Sequence, residues 1–160
     1  MRLRIAAVGR LKAGPERELL DRYVTRANAV GKGVQLAPLE AVEVSESSAR
    51  RPADRMQEEA KALQKWWIEG SRRVVLDERG KMFTSGEFAK RLAALRDTGA
   101  PATLFIIGGA DGLAEHVRGE ADLILAFGAA TLPHQLVRVL LAEQIYRALT
   151  ILSGHPYHRI

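Results

Sequence analysis

The C-terminal part of the chain gathers side chains that can move protons and bind anions. Three of the four histidines lie within the final 27 residues, on either side of a long apolar segment. Imidazole exchanges protons near neutral pH, a guanidinium stabilises developing negative charge, and an aromatic ring stacks on a base. These properties single out six candidate catalytic residues: His134, Arg138, His155, Tyr157, His158 and Arg159.

Each of these side chains also has an ordinary structural interpretation. His134 and Arg138 are one helical turn apart, so Arg138 could be an ion-paired surface residue and His134 a group of the first helical turn. The C-terminal tail, residues 155–159, could pack on its own domain or on a neighbouring subunit. His155 and His158 could form half of a metal site, but with no cysteine in the chain and few carboxylates nearby we predict no metal. No GxSxG elbow precedes the tail, which argues against a catalytic triad.

Strand patterns alternate with helix patterns along the whole chain. This alternation predicts one α/β domain over residues 1–160, with a mainly parallel sheet and helices on both faces. The predicted strands are 3–9, 34–44, 72–77, 102–107 and 121–127. The predicted helices are 16–30, 52–68, one capped by Thr84 or Ser85, 113–118 and 133–152. Pro38 cannot donate to a strand ladder, so it predicts an edge strand or a bulge.

Three segments follow predicted strands and should therefore meet. Ligands of open parallel sheets bind beyond the carboxyl ends of the strands, which brings together LDERG (76–80), GGADG (108–112) and AFGAATLPH (126–134). The first has the composition of an ordinary turn over 77–80. The second is either a tight turn or a ligand loop, and it matches neither GxGxxG nor a Walker A loop, which disfavours a nucleotide-binding oxidoreductase. The third either offers backbone groups to an adenine edge or a methionine carboxylate, or is a plain connection capped by Thr131.

Composition limits the class of protein. With 47% hydrophobic and 27% charged residues, the chain is typical of a globular protein. It has no cysteine, only about five apolar residues before Gly9, and no run near the roughly 20 apolar residues of a membrane span, so we expect a cytoplasmic protein. A net charge of +5 leans towards a polyanionic partner such as RNA. The closing helix is apolar on most sides, as expected of a helix in a core or at a subunit interface.

Four stretches of the chain carry a family resemblance: LDERGKMFTS, FIIGGADGL, TLPHQLVRVLLAEQIYRAL and the ending HPYHR. They resemble the ribosomal RNA large subunit methyltransferase H family of the SPOUT superfamily, and the likeness runs over nearly the whole chain. It implies an α/β fold with a C-terminal trefoil knot, a homodimer, and S-adenosylmethionine as methyl donor. It also implies methylation of the N3 atom of a pseudouridine in large-subunit ribosomal RNA. From its small size we expect the protein to act on the assembled ribosome.

The resemblance also assigns cofactor contacts. They fall on Leu76, Gly108, Phe127, Gly128, Ala129, Ala130, Thr131 and Leu132. The family often has Ser at the position of Gly128 and a larger apolar residue at that of Ala130, which favours backbone contacts over side-chain contacts here. Gly128 is also the one feature that favours the alternative function, a non-catalytic ribosome-associated or RNA-binding factor with a vestigial cofactor pocket.

Overall fold

The computed structural model describes residues 1–158 and contains one five-stranded parallel sheet. Its strands are β1 (Arg2–Val8), β2 (Leu39–Val44), β3 (Arg72–Lys81), β4 (Ala102–Ile107) and β5 (Leu123–Leu125). They lie in the order β2-β1-β4-β3-β5, and every neighbouring pair is parallel. The helices are α1 (Pro15–Gly31), α2 (Pro52–Gln64), α3 (Ser85–Asp97), α4 (Glu115–Gly119) and α5 (His134–Ser153), with a short 3-10 turn at Lys32–Val34. The predicted α/β class is confirmed, and the trefoil knot stays a prediction.

Alternate residues of the central strands face two separate cores. In β1, Leu3 and Ile5 pack with α1, α3 and α5, whereas Ala6 and Val8 pack with α2 and α4. All six residues of β4 are buried, because helices cover both of its faces. Among residues 1–158, no helix has the length and apolar character needed to cross a membrane.

Local signals fix several element ends. β2 is an edge strand, as Pro38 predicts, but it begins at Leu39, directly after the proline, so the predicted strand start at residue 34 is wrong. Thr84 is the N-cap of α3 and forms a capping box with Glu87. The predicted extension of α2 to residue 68 is wrong. The helix ends at Gln64, and the chain continues in turns.

The predicted turn at 77–80 is also wrong, because β3 continues to Lys81. Leu125 of β5 pairs with both Leu76 and Lys81, so the residues between them form an irregular bulge in the strand. Gly80 lies so close to β5 that a Cβ there would be 2.7 Å from the carbonyl carbons of Ile124 and Leu125. A bulge and a turn need similar residues, so composition could not distinguish them.

Candidate active site

A cleft of about 720 Å³ opens at the carboxyl ends of β3, β4 and β5. Small-molecule sites typically have volumes of about 300–1,000 Å³. The three segments predicted to meet do line this cleft. Of the predicted cofactor contacts, the lining includes Leu76, Gly108, Phe127, Gly128, Ala130, Thr131 and Leu132. Ala129 is exposed and is not part of the lining.

Two glycines are required by the backbone of the cleft. A Cβ on Gly108 would lie 2.8 Å from the carbonyl carbon and oxygen of Gly112, so only glycine fits there. Gly128 has a φ of +145°, a conformation that residues with a side chain rarely adopt. Gly128 therefore gives the cleft loop a conformation that a residue with a side chain would adopt only under strain.

An ion-paired carboxylate borders the cleft at the β3 bulge. Asp77 accepts hydrogen bonds from the guanidinium of Arg79 at 3.1 Å and from that of Arg118 at 3.3 Å. The hydrogen bond from Arg79, followed by other contacts that include the one from Arg118, lowers the pKa of Asp77 to about 2. Asp77 is therefore ionised at neutral pH, and its charge is neutralised from two sides.

The loop before α5 is tied to the same bulge. The Thr131 hydroxyl donates to Glu78 Oε2 at 2.9 Å. Thr131 is therefore not the N-cap of α5, contrary to the capping alternative. The helix begins at His134, and Pro133 occupies the N-cap position, its carbonyl accepting from the N–H groups of Leu136 and Val137. The Thr131 hydroxyl instead links this loop to the β3 bulge, and both Thr131 and Glu78 line the cleft.

His134 lines the cleft from the first turn of α5. Its Nε2 atom lies 3.5 Å from Glu46 Oε1, and its side chain is 25% exposed. A Cβ on Gly9 would come within 3.2 Å of the same nitrogen, so this glycine leaves room for the ring. Among the catalytic candidates within residues 1–158, His134 alone is part of the cleft lining.

Arg138 is buried rather than on the surface, with 1% of its area exposed. Its guanidinium donates to the carbonyls of Val8 and Gly9, both at 2.9 Å, to Glu43 Oε1 at 3.0 Å and to the carbonyl of His134 at 3.3 Å. Burial lowers the pKa of Arg138, and the Glu43 charge opposes that effect. These contacts commit most of its N–H groups, so they favour a role in positioning α5 against the strand ends. The surface ion-pair interpretation of Arg138 is wrong.

The tail packs on its own helix. The Tyr157 hydroxyl donates to Glu143 Oε1 at 3.1 Å, and its ring centroid lies 4.6 Å from that of Tyr146. Burial, followed by the Glu143 charge, raises the pKa of Tyr157 to about 12. The phenol is therefore neutral at physiological pH and can donate a hydrogen bond, but it is no phenolate base.

The two tail histidines differ in their surroundings. His155 is exposed, and its Nδ1 accepts from the Tyr157 N–H at 3.1 Å. His158 Nδ1 is buried and has no hydrogen-bond partner among residues 1–158. Arg159 lies outside the described residues. None of the tail residues up to His158 lines the cleft, because α5 has 20 residues and separates them from His134 by about 30 Å.

Five charged residues that line the cleft were not singled out from the sequence as candidate site residues: Asp77, Glu78, Arg79, Asp111 and Arg118. Asp77 ends one predicted strand and Asp111 follows another within a few residues, and that position was the available signal. Arg118 carried no such signal, because its partner Asp77 is distant in sequence. Within residues 1–158, no group of three or more His, Cys, Asp or Glu is arranged to hold a metal ion.

Comparison with known proteins identifies the family. Residues 1–158 match the family model described as "Predicted SPOUT methyltransferase". The chain is 58% identical over 159 residues to the ribosomal RNA large subunit methyltransferase H of Xanthobacter autotrophicus, covering 99% of each chain. It is 54% identical over 159 residues to the protein of the same name from Methylobacterium sp. strain 4-46, covering 99% of this chain and 98% of the relative.

Solved structures share the fold at low sequence identity. A probable methyltransferase from Bordetella pertussis Tohama I aligns with a TM-score of 0.51 and 19% identity, covering 92% of this chain and 95% of that one. A probable methylase family protein from Haemophilus influenzae Rd KW20 aligns with a TM-score of 0.50 and 11% identity, covering 99% and 70%. At such identities the likeness concerns the fold alone. Taken with the near full-length relatives, these findings establish that the chain belongs to the SPOUT methyltransferase family, and within it to the ribosomal RNA large subunit methyltransferase H family.

Proposed function

We propose that this protein transfers a methyl group from S-adenosylmethionine to large-subunit ribosomal RNA, at the N3 atom of a pseudouridine. The observation that carries the proposal is a small-molecule cleft at the carboxyl ends of three strands, in a chain that is 58% identical to a protein named for that reaction class. The pseudouridine and its N3 atom come from the family resemblance.

The cleft fits the chemical parts of the cofactor. Its apolar side chains, among them Leu76, Phe127 and Leu132, suit an adenine ring, and the backbone around Gly108 and Gly128 leaves N–H and C=O groups close to the cleft. When bound, S-adenosylmethionine supplies a methyl group already activated by its sulfonium charge. The protein then has to align the acceptor nitrogen with that methyl and accept the N3 proton.

His134 is the proposed proton acceptor within the described site. A neutral imidazole takes up a proton near pH 7, and His134 lines the cleft with one edge open to solvent. The Glu46 carboxylate at 3.5 Å stabilises the imidazolium that results. Arg138 holds this turn of α5 by donating to the His134 carbonyl.

The functional unit in this proposal is a homodimer. Much of α5 is buried in its own core, but Leu136 and Leu140, one turn apart, remain 43% and 41% exposed. A second copy packed on these leucines would bury them and bring its own tail to this cleft. The tail of one subunit would then supply His155, Tyr157, His158 and Arg159 to the RNA base bound at the other subunit.

Methyl incorporation tests the proposal. Ribosomes and naked large-subunit RNA, both from cells that lack this protein, are incubated with it and with labelled S-adenosylmethionine. We expect label at a pseudouridine in ribosomes and little in naked RNA. Label in naked RNA alone would overturn the ribosome as substrate, and no label in either would overturn the assigned acceptor.

The alternative function is an RNA-binding factor with a vestigial pocket, which Gly128 alone favours. Thermal unfolding separates the two functions. A working pocket raises the melting temperature in S-adenosylhomocysteine by linkage, whereas a vestigial pocket leaves it unchanged.

A further inference from the structure

Helix α2 presents two charged side chains to the glycine-rich loop of the cleft. Arg55 and Glu59 are four residues apart and share one helical face. The loop they contact, residues 108–112, contains three glycines and lines the cleft. Glycine restricts the backbone little, so the sequence of this loop does not by itself fix its shape.

Arg55 joins three parts of the chain through one guanidinium. It forms a bidentate ion pair with Asp111 in the cleft loop, Nε to Oδ2 at 2.6 Å and Nη2 to Oδ1 at 3.0 Å. Its Nη1 donates to the carbonyls of Ala49 and Arg50, each at 3.0 Å. A planar guanidinium with paired contacts fixes orientation as well as distance. The cleft loop is thereby tied both to α2 and to the segment that precedes it.

Glu59 supports the same loop at a second point. The residue is 5% exposed, and its Oε1 accepts from the Ser47 N–H at 3.0 Å. A Cβ on Gly109 would lie 3.1 Å from Glu59 Oε2 and 3.0 Å from Val8 Cγ1, so the loop backbone packs directly on this carboxyl group. Burial raises the pKa of Glu59.

We propose that Arg55 is a positioning residue for the cofactor: it holds Asp111, and with it the loop 108–112, in the shape that binds S-adenosylmethionine, while Glu59 supports that loop at Gly109. The inference rests on the proposed function, because it concerns binding of that cofactor. A loop held in its binding shape loses less conformational freedom when the ligand arrives. Loss of the Arg55 contacts therefore weakens cofactor binding more than it alters the methyl transfer step.

Calorimetric titration with S-adenosylhomocysteine tests this role in the full-length protein. For Arg55→Ala we expect the dissociation constant to rise about 10-fold or more, with Arg55→Lys in between, because lysine keeps the charge but cannot form the bidentate pair. Arg51→Ala is the matched control. Arg51 also lies beside α2 and pairs with Asp54 at 2.7 Å, but its side chain is 80% exposed and none of its hydrogen bonds reaches the loop 108–112. This control should bind as the wild type does.

Turnover separates positioning from a general loss of structure. In Arg55→Ala the KM for S-adenosylmethionine should rise while kcat at saturating cofactor stays within about 2-fold of the wild type. A wild-type dissociation constant in Arg55→Ala, or a fall in kcat with KM unchanged, overturns the inference. If Arg55→Ala does not fold, Arg55→Lys decides by the same criteria. If the wild-type protein itself does not bind S-adenosylhomocysteine, the proposed function fails instead.

Discussion

The two ends of helix α5 differ in the surroundings of their candidate catalytic side chains within one chain. At the N-terminal end, His134 lines a cleft, and Arg138 donates to the carbonyls of Val8 and Gly9 at the end of β1 and to a carboxylate of β2. At the C-terminal end, Tyr157 packs on its own helix, and His158 Nδ1 is buried with no partner among residues 1–158. The first end has a binding site within one chain. The second end has groups capable of chemistry, and those within residues 153–158 are not part of the cleft lining.

This difference is the reason to propose that a second copy of the chain brings its tail to each cleft. The tail and the cleft lie at opposite ends of a helix about 30 Å long, so the tail cannot serve its own cleft in the described arrangement. The exposed Leu136 and Leu140 lie near the cleft end of α5 and offer a surface for a second copy. In the proposed dimer, each cleft receives the tail of the other subunit.

The largest expected effect follows from removing a tail imidazole. We expect His158→Ala to lower turnover about 100-fold or more, the range for loss of a group that acts on the reacting proton or base. Cofactor affinity and dimer mass should stay unchanged, because in the proposed dimer the partner's tail reaches the RNA base rather than the cofactor, and Leu136 and Leu140 form the interface. Methyl transfer, calorimetry and sedimentation measure these quantities. His116→Ala, which removes an exposed histidine from α4, is the control and should retain wild-type turnover.

A pair of arginines on α5 sharpens the contrast in stability. We expect Arg138→Ala to lower the free energy of unfolding by about 3–5 kcal/mol, because it leaves the buried carbonyls of Val8 and Gly9 without this donor, whereas Glu43 keeps its contacts with Arg17 and the Leu11 N–H. Arg147→Ala breaks an ion pair with Glu143 within the same helix, and Arg147 is 30% exposed, so the loss should stay below about 1 kcal/mol. Urea unfolding compares the two. Equal losses of unfolding free energy in the two variants would contradict the view that side-chain contacts stabilise the cleft end of α5 more than its C-terminal end.

The smallest effect is the pH dependence, and its sign differs between the two ends. Asp77 has a pKa of about 2 in the folded protein against an ordinary value of 3.8. Its contribution to the free energy of unfolding is therefore present above about pH 4 and is lost as the pH falls through 2. Tyr157 has a pKa of about 12 against 10.0, so its contribution is present below about pH 10 and is lost as the pH rises through 12. Each contribution is at most about 2–3 kcal/mol.

Two variants check these signs. Asp77→Asn should flatten the acid side of the stability curve and leave the alkaline side as it is. Tyr157→Phe should do the reverse. Unfolding free energies measured across both pH ranges decide the matter, and an acid effect in Tyr157→Phe would count against the assignment.

The fold and the cleft could be predicted from the sequence, because both follow from local patterns. Alternating strands and helices indicate a parallel sheet, and parallel strands place their carboxyl ends at one edge, which brought 76–80, 108–112 and 126–134 together. Pro38 marked the edge strand for a similarly local reason. Predictions for single residues were wrong where a partner that is distant in sequence determines the local structure. Thr131 bonds to Glu78 rather than capping α5, and β3 runs through 77–80 because β5 pairs with it on both sides of the bulge.

The sequence also did not reveal which charged side chains are buried or paired over long range. The sequence left Arg138 as either a catalytic or a surface residue, since nothing near it in sequence reveals the carbonyls of Val8 and Gly9 that surround it. The Arg55–Asp111 pair was invisible for the same reason. Long-range contacts between loops depend on how elements pack, and period and composition carry no information on that.

Mixing two inactive variants tests whether the cleft of one subunit and the tail of the other act together in a dimer. Ala130→Trp fills the cleft from an exposed position, and His158→Ala removes the tail imidazole. In a symmetric dimer that exchanges subunits freely, half of the dimers are mixed, and each mixed dimer contains one intact cleft facing one intact tail. Because one of the two sites in each mixed dimer is intact, we expect about a quarter of the wild-type methyl transfer activity to return on mixing. Absence of recovery, with mixed dimers demonstrated by mass, would contradict it.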